Sequence, residues 1–289
     1  MASLKAIRRR IASFKSTQQI TRAMKLISAA RLRRAQEALI SARPYHEALV
    51  RIADSLFTSM PEALAPAEGA KRAALILVIA SDRGLCGGYN INLVRRGEDE
   101  AARALSEGLD VRLYVVGRRA LDHFRRANRA VAYDRINNPR LATFELAQDL
   151  AARMLAEYRG GEVVEVGVVY SAFHSALSQR PVYERLLPIT RPEPAEGQQA
   201  AEPADYLIEP SPAELLPTVV RAYLEDSIFH GLLEAEASEH GARMTAMDSA
   251  TSNAAKLIGR LTIEMNRARQ ATITRELMDI VGGAEALSA

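Results

Sequence analysis

Apolar positions recur every three or four residues from Leu4 onward, in a stretch with no glycine before Gly69 and only Pro44 ahead of Pro61. Leu4, Ile7, Ile11 and Phe14 keep the spacing of a coiled-coil seam, and Ile20, Met24 and Ile27 resume it after a phase shift. Rich in Ala, Arg, Leu, Lys and Ile, the stretch predicts one helix of about 55 residues, ~80 Å at ~1.5 Å per residue. From Pro217 to Gly282 only Gly231, Gly241 and Gly259 interrupt a helical composition, which predicts a second helix of about 65 residues. Met244, Met247, Thr251, Ala254, Ile258, Leu261, Met265, Ala268 and Thr272 form its heptad seam. The small side chains on this seam allow close approach, and partners at opposite ends of the chain point to an antiparallel pair.

The middle of the chain changes period. Continuous apolar runs at 73–80, 111–116 and 163–170 read as strands covered on both faces, with helices over 91–107, 118–128 and 141–158 between them. A further strand is expected from Arg180 to Ile189. Alternation of this kind argues a small Rossmann-like α/β domain with a largely parallel sheet. Pro192, Pro194, Pro203, Pro210, Pro212 and Pro217 mark a linker back to the second long helix, with Asp205 to Ile208 as a short edge strand. The expected organisation is 1–60 as the N-terminal coiled-coil helix, 70–210 as the α/β domain and 211–289 as the C-terminal coiled-coil helix.

Charge sharpens this picture. The net +3 is uneven: residues 1–45 hold eleven Lys and Arg against Glu37 alone, a surplus of ten, which leaves the remainder at −7. Such an arm seeks an acidic partner, whether nucleic acid, anionic lipid or an acidic protein surface. It is also arginine-rich like a transit peptide, but the helical pattern runs past residue 55 without a break, so the arm is expected to belong to the mature fold. The start Met1–Ala2–Ser3 points to a bacterial rather than an imported chain. No run of apolar residues is long enough to span a bilayer. A lone cysteine, Cys86, excludes an intramolecular disulfide, and no Cys or His residues stand at metal-ligand spacing.

Ser81–Asn90, SDRGLCGGYN, is the most enzyme-like segment, a glycine-rich loop between a strand and a helix. Its spacing is neither GxGxxG nor GxxxxGK[ST], and Gly84, Gly87 and Gly88 serve a tight turn equally well. The histidines form no constellation with Cys86, which reads as a buried thiol rather than a nucleophile. No catalytic site and no cofactor are expected. Nucleic-acid binding through the basic helix is the alternative from another class, although Phe14 and Tyr45 are the only aromatics in the arm. Near the C-terminus, NRARQATITRELMD from Asn266 crowds polar donors onto several helix faces, as a solvated tip would, or one enclosed by a partner.

Three blocks, IRRRIASFKSTQQITRAMKLISAARLRRAQ from Ile7, SDRGLCGGYN from Ser81 and ARQATITRELMDIVGGAEAL from Ala268, together resemble the gamma subunit of F-type ATP synthases over essentially the whole length. The resemblance implies a noncatalytic rotor: an antiparallel coiled coil within a ring of alpha and beta subunits, and an α/β foot against the epsilon subunit and the membrane ring of c subunits. It implies neither nucleic-acid binding nor lipid insertion, and a peripheral place on the cytoplasmic face of a bacterial plasma membrane or, alternatively, the matrix side of a mitochondrial one. Arg269, Gln270 and Thr274 are implied to contact a beta-subunit loop. Met24, with Arg22 and Lys25, is implied to meet that subunit's acidic lever loop. Asp82, Arg83, Gly84, Cys86, Gly87, Gly88 and Asn90 match the foot-domain motif, where Tyr89 replaces the Leu or Phe the family often carries.

Overall fold

A computed structural model describes residues 4–60, 65–67, 69–137, 141–189, 209 and 211–288. In chain order the elements are α1 (Leu4–Ser59), β1 (Ala73–Ile79), α2 (Tyr89–Ser106), β2 (Asp110–Val116), α3 (Arg118–Arg126), β3 (Val131–Arg135), α4 (Phe144–Arg159), β4 (Glu165–Phe173), β5 (Gln179–Leu187) and α5 (Pro212–Ser288). The chain divides into two compact units, one of Ser28–Arg243 and one of Met1–Ile27 with Met244–Ala289. The proline-rich tract at 192–208 and its expected edge strand lie outside the described residues.

In the larger unit the sheet order is β3-β2-β1-β4-β5. β1 pairs in parallel with β2 and β4, β2 in parallel with β3, and β5 closes the other edge antiparallel to β4. Every residue of β1 is buried, because this central strand is covered on both faces. Strand alternation sorts its side chains: Leu75, Leu77 and Ile79 join Leu150 and Met154 of α4, Leu56 of α1 and Leu224 of α5. Ile76 and Val78 join Leu93 of α2 and Leu121 and Phe124 of α3 on the opposite face. β3 was not anticipated. Its VAYDR sequence is a half-exposed edge with no continuous apolar run to announce it.

α5 starts at Pro212, ahead of Pro217. Ser211 Oγ accepts from the Glu214 backbone N–H at 3.4 Å and donates to Glu214 Oε1 at 3.1 Å, a side-chain N-cap with Pro212 at the first helical position. Pro217 falls within the helix, as Pro44 does in α1.

In the smaller unit the two helices run antiparallel. Lys25 Nζ donates to Asp248 Oδ1 at 2.6 Å, and the hydroxyls of Thr21 and Thr251 lie 2.8 Å apart, so advance along α1 matches retreat along α5. Met247 and Ala254 are buried and Ile258, Leu261, Met265 and Ala268 half-buried, which follows the C-terminal seam. Thr272, assigned to that seam, is instead exposed. The register sets Leu4 beside Ala268, so Thr272 has no turn of α1 opposite it.

On α1 the phase shift does not occur. The inward face continues without interruption from Phe14 through Gln18 and Thr21 to Ser28. Ile20 and Ile27 therefore point outward, 58% and 55% exposed, while Thr21 and Ser28 are 8% and 3% exposed. An unbroken backbone helix preserves its phase whatever side chains arrive, so polar residues occupy the seam here and apolar ones the surface.

Candidate functional site

Among the described residues no cluster of three His, Cys, Asp or Glu side chains could hold a metal. The candidate residues fall into a strapped loop in the larger unit and two surface groups in the smaller one.

Leaving β1, the chain enters the Ser81–Asn90 loop. Asn90 Oδ1 accepts from the Ser81 backbone N–H at 3.0 Å, and Asn90 Nδ2 donates to Cys86 Sγ at 3.1 Å, which ties the two ends of the loop together. Asp82 Oδ1 accepts from the Arg118 backbone N–H at 2.9 Å and so satisfies the first turn of α3. Leu85 and Gly87 both adopt positive φ, at 64° and 59°, a conformation the glycine takes without strain and the leucine does not. Gly88 flanks the first turn of α2, its carbonyl accepting from Asn92 N at 2.9 Å.

The strap holding this loop is Arg243 of α5, a residue that sequence reasoning overlooked. Its guanidinium donates to the carbonyls of Arg83 and Gly84 at 3.3 Å and pairs with Glu239 at 2.7 Å. The loop turns these carbonyls, not a row of N–H groups, toward its neighbour, which is the wrong polarity for cradling phosphate. Cys86 is buried, and burial pushes its thiol above the ordinary value, so it lacks thiolate character. Tyr89 is buried and satisfied: its hydroxyl donates to the Ala235 carbonyl of α5 at 3.0 Å. The only trace of Arg243 in the sequence is a charge within the inward stripe of α5, a signal visible only once its phase is known.

In the smaller unit Arg269, Gln270 and Thr274 are all exposed on α5, beyond the end of its pairing with α1. Arg22 is exposed on α1, Met24 half-buried, and Lys25 engaged with Asp248 rather than free. The register sets Arg22 near residue 250, so the two groups stand about twenty residues of α5 apart, ~30 Å of helical rise. They are separate surface groups and cannot meet in one pocket. Exposed Ile20 and Ile27 flank the Arg22 group, and exposed Ile273 and Leu277 flank the Arg269 group, so each joins basic or polar donors to apolar surface.

A family profile described as ATP synthase matches residues 3–287. The chain is 44% identical over 290 residues to the ATP synthase gamma chain of Pelotomaculum thermopropionicum, covering 99% of this chain and 100% of that one. It is 44% identical over 293 residues to the ATP synthase gamma chain of Moorella thermoacetica, at 99% and 100% coverage. Its fold is similar to a chain in the rotor of the Euglena gracilis mitochondrial ATP synthase, with TM-score 0.71, 18% identity and coverage of 93% of this chain and 98% of that one. A chain of the central stalk and c-ring structure from Tetrahymena thermophila mitochondrial ATP synthase is similar over 80% of this chain and 99% of that one, with TM-score 0.61 and 24% identity.

Proposed function

Because the chain belongs to the ATP synthase gamma-chain family, we propose that it is the noncatalytic central-stalk rotor subunit, coupling proton-driven rotation of the membrane ring to conformational change at the beta-subunit sites where ATP is made. The observation that carries this reading is the antiparallel pairing of α1 with α5, together with the continuation of α5 past its partner to present Arg269, Gln270 and Thr274. A helix pair of unlike faces inside a ring of alternating alpha and beta subunits touches each beta subunit differently. It biases each site only by the difference between its contact energies with that site's open and closed forms. Turning the pair exchanges those differences among the three sites.

In this proposal Arg269, Gln270 and Thr274 donate to a beta-subunit loop, while Arg22, Met24 and Lys25 meet an acidic one. Arginine forks suit carboxylates there, and the adjacent apolar side chains exclude water. Epsilon and the ring of c subunits dock on the α/β unit, with Asp82, Arg83 and the strapped loop fixing its local surface. No described helix is long and apolar enough to cross a membrane, and the subunit works as a peripheral component on the cytoplasmic face of the plasma membrane.

Replacing Arg269 and Gln270 together by alanine tests the contacts. Membranes carrying the variant should lose assembled complex or show ATP synthesis cut at least several-fold; unchanged assembly and synthesis would refute the assignment. Pull-down of the wild-type chain from its native membrane should bring alpha, beta, epsilon and c subunits with it, whereas salt-sensitive DNA binding without them would favour a nucleic-acid role.

A further inference from the structure

In the larger unit His46 of α1 and His230 of α5 stack face to face, ring centroids 4.1 Å apart and planes 4° from parallel. His46 Nδ1 stands 2.6 Å from Asp226 Oδ2, one turn before His230 on α5. All three side chains are largely shielded from water. His230 Nδ1 is buried without a hydrogen-bond partner, and its Nε2 lies 3.6 Å from Glu234 Oε1, too far for a good bond. One carboxylate is therefore bonded to one imidazole, and a second imidazole lies flat against the first. Two imidazolium rings at this separation would repel strongly in so shielded a place.

We propose that His46, His230 and Asp226 form a one-proton latch between α1 and α5, closed when His46 alone is protonated and loosened either by losing that proton or by adding a second to His230. The charged neighbours are Arg43 and Glu47 on α1, Glu184 on β5, Glu234 on α5 and His174 after β4. The Asp226 hydrogen bond outweighs desolvation and raises His46 above 6.5, whereas desolvation and the His46 charge lower His230 to about 4. The stabilisation from His46 is fully present below its unfolded value and is lost as pH rises through its raised folded value. For His230 the unfolded chain binds the extra proton, so stability falls as pH drops from 6.5 toward about 4. Burial holds the Glu184 and Glu234 carboxyls above their ordinary value, which opposes the His230 effect in acid. The His46 charge lowers both carboxyls, so in His46→Asn they rise further and add to the acid side, whereas the alkaline limb reports His46 itself.

Thermal unfolding of the full chain between pH 5 and 9, for wild type, His46→Asn and His230→Phe, reads both limbs. His46→Asn should erase an alkaline-side loss of about 3 °C in Tm, and His230→Phe, which keeps a flat ring, should lessen the acid-side loss. An alkaline limb unchanged in His46→Asn overturns the latch. Histidine titration by NMR in the unaltered chain needs no variant to fold: the two rings showing mutual cross-relaxation should titrate far apart, one above 6.5 and one near 4. Similar titration of both rings would overturn the proposal. These measurements use the isolated chain, so they stand apart from its assembly into a synthase.

Discussion

Thr21 of α1 and Thr251 of α5 face each other across the helix pair with their hydroxyl oxygens 2.8 Å apart, a polar contact at a position where a coiled coil ordinarily buries hydrocarbon. Each hydroxyl also has a carbonyl of its own helix within reach, Gln18 O at 3.1 Å and Met247 O at 2.7 Å. Either can therefore lose its partner without being stranded. Thr21→Val or Thr251→Val alone should cost less than about 1 kcal/mol, and the double variant should match or exceed wild-type stability. Thermal unfolding of the four proteins closes the cycle; singles that each lose well over about 1 kcal/mol, with no further loss in the double variant, would show the contact to matter more than its geometry implies.

Arg243 offers a larger effect. Truncating it in Arg243→Met strips the Arg83 and Gly84 carbonyls of their donor and leaves the Glu239 carboxylate buried without a counter-charge. Loss of about 3–5 kcal/mol is expected in urea unfolding. Burial already holds the Glu239 carboxyl above its ordinary value, and the Arg243 charge moderates that rise. For an acid whose folded pKa is raised, stability declines as pH climbs through it, so the variant should decline more steeply than wild type above pH 5. Equal slopes would contradict the assignment of Arg243 as the counter-charge.

Lys25 and Asp248 make a short contact, but their side chains are 40% and 61% exposed. Their coupling in a double-mutant cycle should stay below about 1 kcal/mol and shrink in salt. If Lys25 meets a beta subunit, Lys25→Ala should impair assembly or ATP synthesis while the isolated chain melts almost as before. Impairment only in proportion to lost stability would count against a contact role.

Gly117 links β2 to α3 at φ 99°, and a Cβ built there would lie 2.2 Å from the Ala80 carbonyl oxygen. That neighbour is backbone at the end of the central strand and cannot swing away. Gly117→Ala should therefore cost more than about 2 kcal/mol, measured by urea unfolding; a silent substitution would mean the β1 end yields more readily than its burial suggests.

Much of this architecture was legible in the residues because it depends on long, unbroken signals. AALILVI can be accommodated only where both faces are dry, and a glycine-free stretch up to residue 60 leaves little besides helix. Short or compensated signals were less readable. β3 is edge sequence with polar residues facing water. The misplaced phase at Ile20 has a specific cause. Following the apolar residues is sound where a seam is hydrophobic, but here Thr21 and Ser28 take the inside and the isoleucines face out. The loop from Ser81 was visible as a motif, yet its role depended on Arg243, more than 150 residues away, and one chain's pattern does not report such a partner.

Among the described residues the stretch of α5 beyond Ala268 has no second helix to lean on, yet Ile273, Leu277, Ile280 and Val281 all face water. An isolated helix of about twenty residues is marginal in water, since nucleation and fraying consume most of its backbone gain. A sheath that dries those four side chains would convert a fraying tip into a seated bearing. The overhang is thus a length of chain whose order is supplied from outside, and protease should trim it from the free subunit before it touches anything else.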